Sequence, residues 1–91
     1  MTAVDVQITI INKLGLHARA SAKFVNLAST FASEIKLARG PRVVDGKSIM
    51  GVMLLAAGKG TELTLSADGE DADAAIEALQ ALVADYFGEG E

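Results

Sequence analysis

The chain has 91 residues, 51% of them hydrophobic, with no cysteine and one histidine. That length suits one domain around one compact core, and the residue counts exclude disulfides, thiolate metal sites and a zinc centre of the usual multi-histidine kind. The net charge of −4 divides unevenly: all eight Lys and Arg lie at or before Lys59, which makes that part +5, while the remainder carries nine acids and no base.

A basic region of this size could meet nucleic acid, but one tyrosine, no tryptophan and no run of arginines argue against it. An acidic protein surface is the more natural partner. The opening Met1-Thr2-Ala3-Val4-Asp5 lacks a basic stretch followed by an apolar one, and no segment approaches the length of a membrane span. The expectation is a soluble cytoplasmic protein with no membrane insertion.

In chain order, Val4 to Ile11 reads as a half-buried strand, with Val6, Ile8 and Ile10 on one face and Asp5, Gln7 and Thr9 on the other. Asn12 to Gly15 reads as a loop. From Ala18 to Phe31 the positions Ala20, Phe24, Leu27, Ala28 and Phe31 recur at helical spacing, and Arg19, Lys23, Asn26 and Thr30 form the wet face. Glu34 to Leu37 alternates as a second strand. Arg39-Gly40-Pro41-Arg42 is a turn, and Arg42 to Val44 a short third strand ending at Asp45-Gly46.

A second, short helix is predicted over Ser48 to Ala57, closed by Gly58-Lys59-Gly60. Thr61 to Ser66 alternates as a fourth strand. Asp71 is placed to cap a last helix, with Asp73 near its positive end and Ile76, Leu79, Val83 and Tyr86 or Phe87 on its core face. Gly88-Glu89-Gly90-Glu91 is expected to fray as an acidic tail. The order βαββαβα describes an α+β unit: helices on one face of a mainly antiparallel sheet, with no repeat and no linker, so that residues 1–91 form a single domain.

His17 lies where the first helix begins, in Leu14-Gly15-Leu16-His17-Ala18-Arg19. A helix start is an anion site, because its first backbone N–H groups lack intrahelical partners and the helix dipole adds about half a positive charge. A phosphoryl group on the imidazole would meet those donors and Arg19. A lone histidine is more often an ordinary surface residue. Yet histidine is a poor N-cap beside Ser, Thr, Asp or Asn, so helix stability does not explain it here.

Gly46-Lys47-Ser48-Ile49-Met50-Gly51-Val52 forms a second constellation. Ser48 suits an N-cap. If Val52, Leu55 and Ala56 face the core, Ile49, Met50, Met53 and Leu54 are left near the surface, which points to a docking patch. Methionine repacks readily against differently shaped partners. Gly51 costs about 1 kcal/mol relative to alanine within a helix, which implies a close approach there. A phosphate on Ser48 would be tolerated at the helix start, yet would place about two negative charges beside the patch.

Together the two motifs, some thirty residues apart, resemble those of HPr, the histidine-containing phosphocarrier family of the phosphoenolpyruvate-dependent phosphotransferase system. The similarity runs from Val4 to Phe87. It implies an open-faced β-sandwich, a four-stranded antiparallel sheet with three helices on one face. It also implies a carrier, not an enzyme, in which Enzyme I phosphorylates Nδ1 of His17 and an Enzyme IIA histidine receives the group. Arg19 would stabilise the phosphoryl group. Ser48 matches the serine phosphorylated in many members by an HPr kinase/phosphorylase. Ala18, Ala20, Lys23, Ile49, Met50 and Met53 would contact partners. The resemblance implies no cofactor, no metal and a monomer.

One departure stands out. The family motif commonly continues His-Ala-Arg-Pro, whereas here Arg19 is followed by Ala20 and Ser21. Alanine restores a first-turn N–H that proline lacks, so the anion site should survive. This variant is similar to proteobacterial forms, including the nitrogen-related branch, and leaves sugar uptake and a regulatory phosphorelay both open. Two other functions suit a small α+β fold. A hydrolase of the acylphosphatase kind would need an arginine-bearing phosphate loop after the first strand, which is not visible. A ligand-binding regulatory module would need no nucleophile.

Overall fold

The computed structural model describes residues 2–91. Its elements are β1 (Thr2–Thr9), α1 (Ala18–Ala28), β2 (Glu34–Arg39), β3 (Arg42–Asp45), α2 (Ile49–Leu54), β4 (Glu62–Gly69) and α3 (Ala72–Ala84), followed by a short turn at Tyr86–Gly88. The four strands form one antiparallel sheet in the order β1-β4-β2-β3. Three helices cover one face, giving the α+β architecture that the alternating strands imply.

Alternation decides which side chains enter the core. Leu63, Leu65 and Ala67 of β4 and Ile35 and Leu37 of β2 are all buried, while the intervening residues are exposed or half-buried. Register places Leu37 opposite Leu65 and Ile35 opposite Ala67, so inward residues of the central strands meet on one face. Phe24, Val25 and Ala28 of α1, Val52 of α2 and Ile76, Leu79 and Val83 of α3 close over them. Val6 faces inward as expected but is only half-buried, on a strand at the edge of the sheet.

Several boundaries differ from the sequence reading. The first strand leaves the ladder after Thr9, although Ile10 stays buried and exchanges backbone bonds with Gly60 and Thr61. Helix α1 stops at Ala28, not Phe31. Thr30 N–H turns back to the Leu27 carbonyl (3.0 Å), and the Thr30 hydroxyl donates to the same oxygen (2.7 Å), so the last turn tightens. Strand β4 extends to Gly69, and β2 to Arg39.

Helix α2 ends at Leu54, three residues before the expected end, because Ala56 takes a positive φ of 50°. That bend leaves Ala56 exposed and turns Ala57 into the core in its place. Arg39 donates to the carbonyls of Leu55 and Ala56 (both 3.0 Å), and Arg42 to that of Leu54 (2.9 Å). Two guanidinium groups thus satisfy the orphaned carbonyl end of α2.

Asp71 stands at the N-cap position of α3, but its side chain does not cap the helix. Its carboxylate accepts from the backbone N–H groups of Ala32 (2.8 Å) and Ser33 (2.9 Å) and from the Ser33 hydroxyl. It therefore ties the α1–β2 loop to the start of α3. The Ser33 hydroxyl bond and then the Ala32 amide hold its carboxyl below the ordinary range, outweighing partial burial.

Candidate functional site: a histidine at a helix start

The site is built from the Asn12–Leu16 loop upward. Gly15 has φ +67°, and a Cβ there would lie 2.5 Å from the Ala57 carbonyl oxygen and 2.7 Å from Gly58 Cα. Only glycine meets both conditions. The next residue, Leu16, donates its N–H to that same Ala57 oxygen (2.8 Å), and the Asn12 side chain donates to the Gly15 carbonyl (2.8 Å). The loop is thereby pinned to the segment that follows α2, and its far end delivers His17.

His17 is the N-cap of α1, with extended backbone (φ −74°, ψ −179°) and no side-chain capping bond. The first intrahelical bond runs from Ser21 N–H to the His17 carbonyl (2.9 Å), so the N–H groups of Ala18, Arg19 and Ala20 open the helix without intrahelical partners. The Ser21 hydroxyl, fully buried, donates to the Leu16 carbonyl (3.0 Å) and fastens the helix to the loop.

The imidazole is 28% exposed and, among the described residues, binds one group: Nε2 lies 2.6 Å from a carboxylate oxygen of Glu89. The other Glu89 oxygen accepts from Asn12 Nδ2 (3.0 Å). Burial pushes the Glu89 carboxyl up, but hydrogen bonds from Asn12 and His17 and the charges of His17 and Lys23 bring it below its ordinary value. Together Leu14, His17, Arg19, Lys23 and Glu89 line an open cleft of about 640 Å³.

The expected frayed tail is thus placed otherwise at Glu89. Phe87, not Tyr86, is the buried aromatic, and Lys23 Nζ donates to its carbonyl (2.7 Å). Tyr86, Phe87 and Gly88 all take positive φ (56°, 53° and 75°), which turns the chain sharply back toward α1. For the two aromatic residues this conformation costs about 1–2 kcal/mol each. Burial of the Phe87 ring, about 1.5–3 kcal/mol, offsets much of that.

The other predicted residues separate. Ala18 and Arg19 are exposed, and Arg19 makes no hydrogen bond or ion pair among the described residues. Ala20 is fully buried and belongs to the core, so its methyl cannot be a contact surface: it lies on the inward stripe with Phe24 and Ala28. Lys23 is half-buried and engaged with the tail.

Ser48 is the N-cap of α2, and its hydroxyl accepts from Gly51 N–H (3.1 Å). A Cβ on Gly51 would sit 3.3 Å from that hydroxyl, which gives the expected close approach. Ile49, Met50, Met53 and Leu54 are exposed while Val52 and Leu55 are buried. Leu14, 67% exposed, adds a further apolar side chain beside the histidine. Sequence reasoning missed Glu89, which binds the ring, and Asn12, which holds the Glu89 carboxylate.

A four-stranded antiparallel sheet with helices on one face, and a partly exposed histidine at the start of the first, defines an HPr-like open-faced sandwich. The family model described as "PTS HPr component phosphorylation site" matches residues 4–85. The chain belongs to the HPr family, the phosphocarrier proteins of the phosphotransferase system. Its relatives include phosphocarrier protein HPr of Cupriavidus necator, 63% identical over 91% of this chain and 93% of that protein. Phosphocarrier protein NPr of Shewanella violacea is 46% identical over 98% of each. Among solved structures, HPr-C-His from Thermoanaerobacter tengcongensis superposes with a TM-score of 0.91 at 46% identity, covering 94% of this chain and 97% of that one.

Proposed function

We propose that His17 Nδ1 accepts a phosphoryl group from Enzyme I and passes it to a histidine of an Enzyme IIA protein or domain, so that the chain carries the group as a phosphohistidine without being an enzyme itself. One observation carries this reading. The imidazole sits partly exposed at the mouth of α1 with Nε2 engaged, so Nδ1 is the ring nitrogen left to react. The unpartnered N–H groups of the first turn and the Arg19 guanidinium supply positive potential where a phosphoryl group would lie. Phosphoryl transfer needs chiefly such positioning and charge stabilisation.

The apolar side chains Ile49, Met50, Met53 and Leu54, with Leu14, form the surface on which both partners would dock in turn. Ser48 lies at its edge as a candidate site for an HPr kinase/phosphorylase. The reading requires the cytoplasm, where phosphoenolpyruvate is made.

Incubation of the wild type and His17→Ala with Enzyme I and phosphoenolpyruvate tests it. One acid-labile phosphate per wild-type chain and none on the variant is the expected result; phosphate retained by the variant would sink the assignment. Relatives named HPr and NPr keep sugar uptake and the nitrogen-type relay both in play. Transfer rates from the phosphorylated chain to Enzyme IIA proteins of each type distinguish them.

A further inference from the structure

Glu89 is 72 residues from His17 in the chain, yet its carboxylate binds the ring. It is held from two sides. Asn12 donates from Nδ2 to both the Gly15 carbonyl (2.8 Å) and Glu89 Oε1 (3.0 Å); since both partners are acceptors, the amide must present its NH2 to them. Behind Glu89, the buried Phe87 ring anchors the backbone, and Lys23 holds the Phe87 carbonyl. The Glu89 side chain is only 12% exposed. This is a seated carboxylate, not a surface charge passing by.

A neutral imidazole has one N–H and one lone pair, and a carboxylate accepts only. With Glu89 2.6 Å from Nε2, the proton belongs on Nε2 and the lone pair on Nδ1. We propose that Glu89 is a positioning residue for phosphoryl transfer: its carboxylate holds the proton on His17 Nε2, directing Nδ1 toward phosphorus and balancing the charge of the ring while it carries the group. The inference rests on the reading of His17 as acceptor.

The step balances as follows. The Nδ1 lone pair forms a bond to phosphorus as the donor's phosphorus–nitrogen bond breaks, and that bonding pair stays with the donor. The ring becomes an imidazolium that keeps its Nε2 proton, with Glu89 as counter-ion. In onward transfer the bonding pair returns to Nδ1, and the ring departs as neutral imidazole. Without the Nε2 proton it would have to leave as an imidazolate, a far poorer leaving group. One carboxylate thus serves acceptance and release alike. The oriented acid–imidazole pair acts as in other sites where a carboxylate selects the tautomer of a reacting histidine.

Because the chain has one histidine, its ring nitrogens can be followed without assignment ambiguity. Nitrogen-15 NMR of wild type, Glu89→Gln and Glu89→Ala, unphosphorylated and at neutral pH, reports the tautomer without any partner. The Nε2–H form should dominate in wild type, and an Nδ1–H population should emerge in Glu89→Ala. Glu89→Gln should fall between, because offering its oxygen to His17 turns its NH2 toward that of Asn12. With Enzyme I as donor, kcat for acceptance should fall about tenfold in Glu89→Ala, as expected for losing one charge-assisted hydrogen bond. KM for the carrier should stay within about twofold, because the docking surface is intact.

An identical tautomer balance in all three proteins overturns the proposal. So does a normal kcat in Glu89→Ala, or a loss confined to KM, which would make Glu89 a docking contact. If wild type takes no phosphate on His17, the parent reading fails and the transfer role with it, while the tautomer measurement still decides what Glu89 does to the ring.

Discussion

The most demanding test of how the site is built is Gly15→Ala, with Gly40→Ala as its control. Both glycines have positive φ, +67° and +56°, but a Cβ on Gly40 would meet nothing within 4 Å. At either position the left-handed conformation costs alanine about 1–2 kcal/mol, partly offset by about 0.4–1 kcal/mol from the stiffer unfolded chain. Gly40→Ala should therefore lose about 1 kcal/mol. At Gly15 the new methyl would lie 2.5 Å from the Ala57 oxygen, so one loop must move. That displacement adds about 1–3 kcal/mol, and the Leu16–Ala57 bond of 2.8 Å contributes about 1 kcal/mol more when broken.

The sum for Gly15→Ala is about 3–5 kcal/mol, or a fall in Tm on the order of 20 °C for a domain of this size. Urea titration and thermal melts of both variants measure it. Phosphoryl acceptance, assayed well below the variant's Tm, should also drop, because the displaced loop carries His17. Two variants that melt within a few degrees of one another would refute the reasoning, since close approach to Ala57 would then play no part in forming the site.

Three further outcomes are expected. Arg19→Ala should melt within about 0.5 kcal/mol of wild type, the residue being exposed and unbonded, while transfer rates fall by roughly 10²-fold if its guanidinium stabilises the moving charge; rapid-quench phosphorylation reads this directly. Ser48→Asp should retain its Tm, since aspartate can still accept from Gly51 N–H. It should bind Enzyme I roughly tenfold more weakly by calorimetry, because a charge beside Ile49 and Met53 must be desolvated. Glu89 and Asp71 both have carboxyls held below their ordinary values. Their contribution to stability is complete above the unfolded carboxylate pKa of about 4 and is lost as pH falls through the depressed folded values. Melts from pH 6 down to 2.5 should show that fall, with the tail's NMR signals near His17 changing in the same window; a tail that detaches above pH 5 would contradict the Glu89 contact.

The fold was legible because its signals are periodic. Leu63, Leu65 and Ala67 alternate with polar neighbours, and Phe24 and Ala28 recur one helical turn apart, so strand and helix faces follow from spacing. Helix ends were less legible, since they depend on events that no local pattern contains. Ala56 adopts a conformation uncommon for alanine, and the carbonyls it frees are met by Arg39 and Arg42 from strands that precede α2. Asp71 looked like a cap because aspartate favours that position, but the Ala32 and Ser33 amides compete for the same carboxylate. Ala20 could be placed on a helical stripe or in a contact surface, and its burial decides for the stripe.

The tail was hidden for a different reason. Gly88-Glu89-Gly90-Glu91 has no periodicity, and glycines between acids ordinarily mark a solvated end. What the sequence did contain was a charge division, a basic region around His17 against an acidic C-terminal part, which pointed to an acidic partner. The structure satisfies part of that complementarity within the chain: Glu89 binds His17, and Glu91 lies 4.0 Å from Lys13. The exposed Lys13–Glu91 pair adds little. The Glu89 contact differs because Phe87 has already fixed the backbone, so seating the carboxylate restrains few additional torsions. The tail engages Nε2 and Lys23, while Arg19 keeps no partner among the described residues. An internal acid therefore occupies the side of the imidazole that must keep its proton, and leaves the helix start and the guanidinium to an incoming anion.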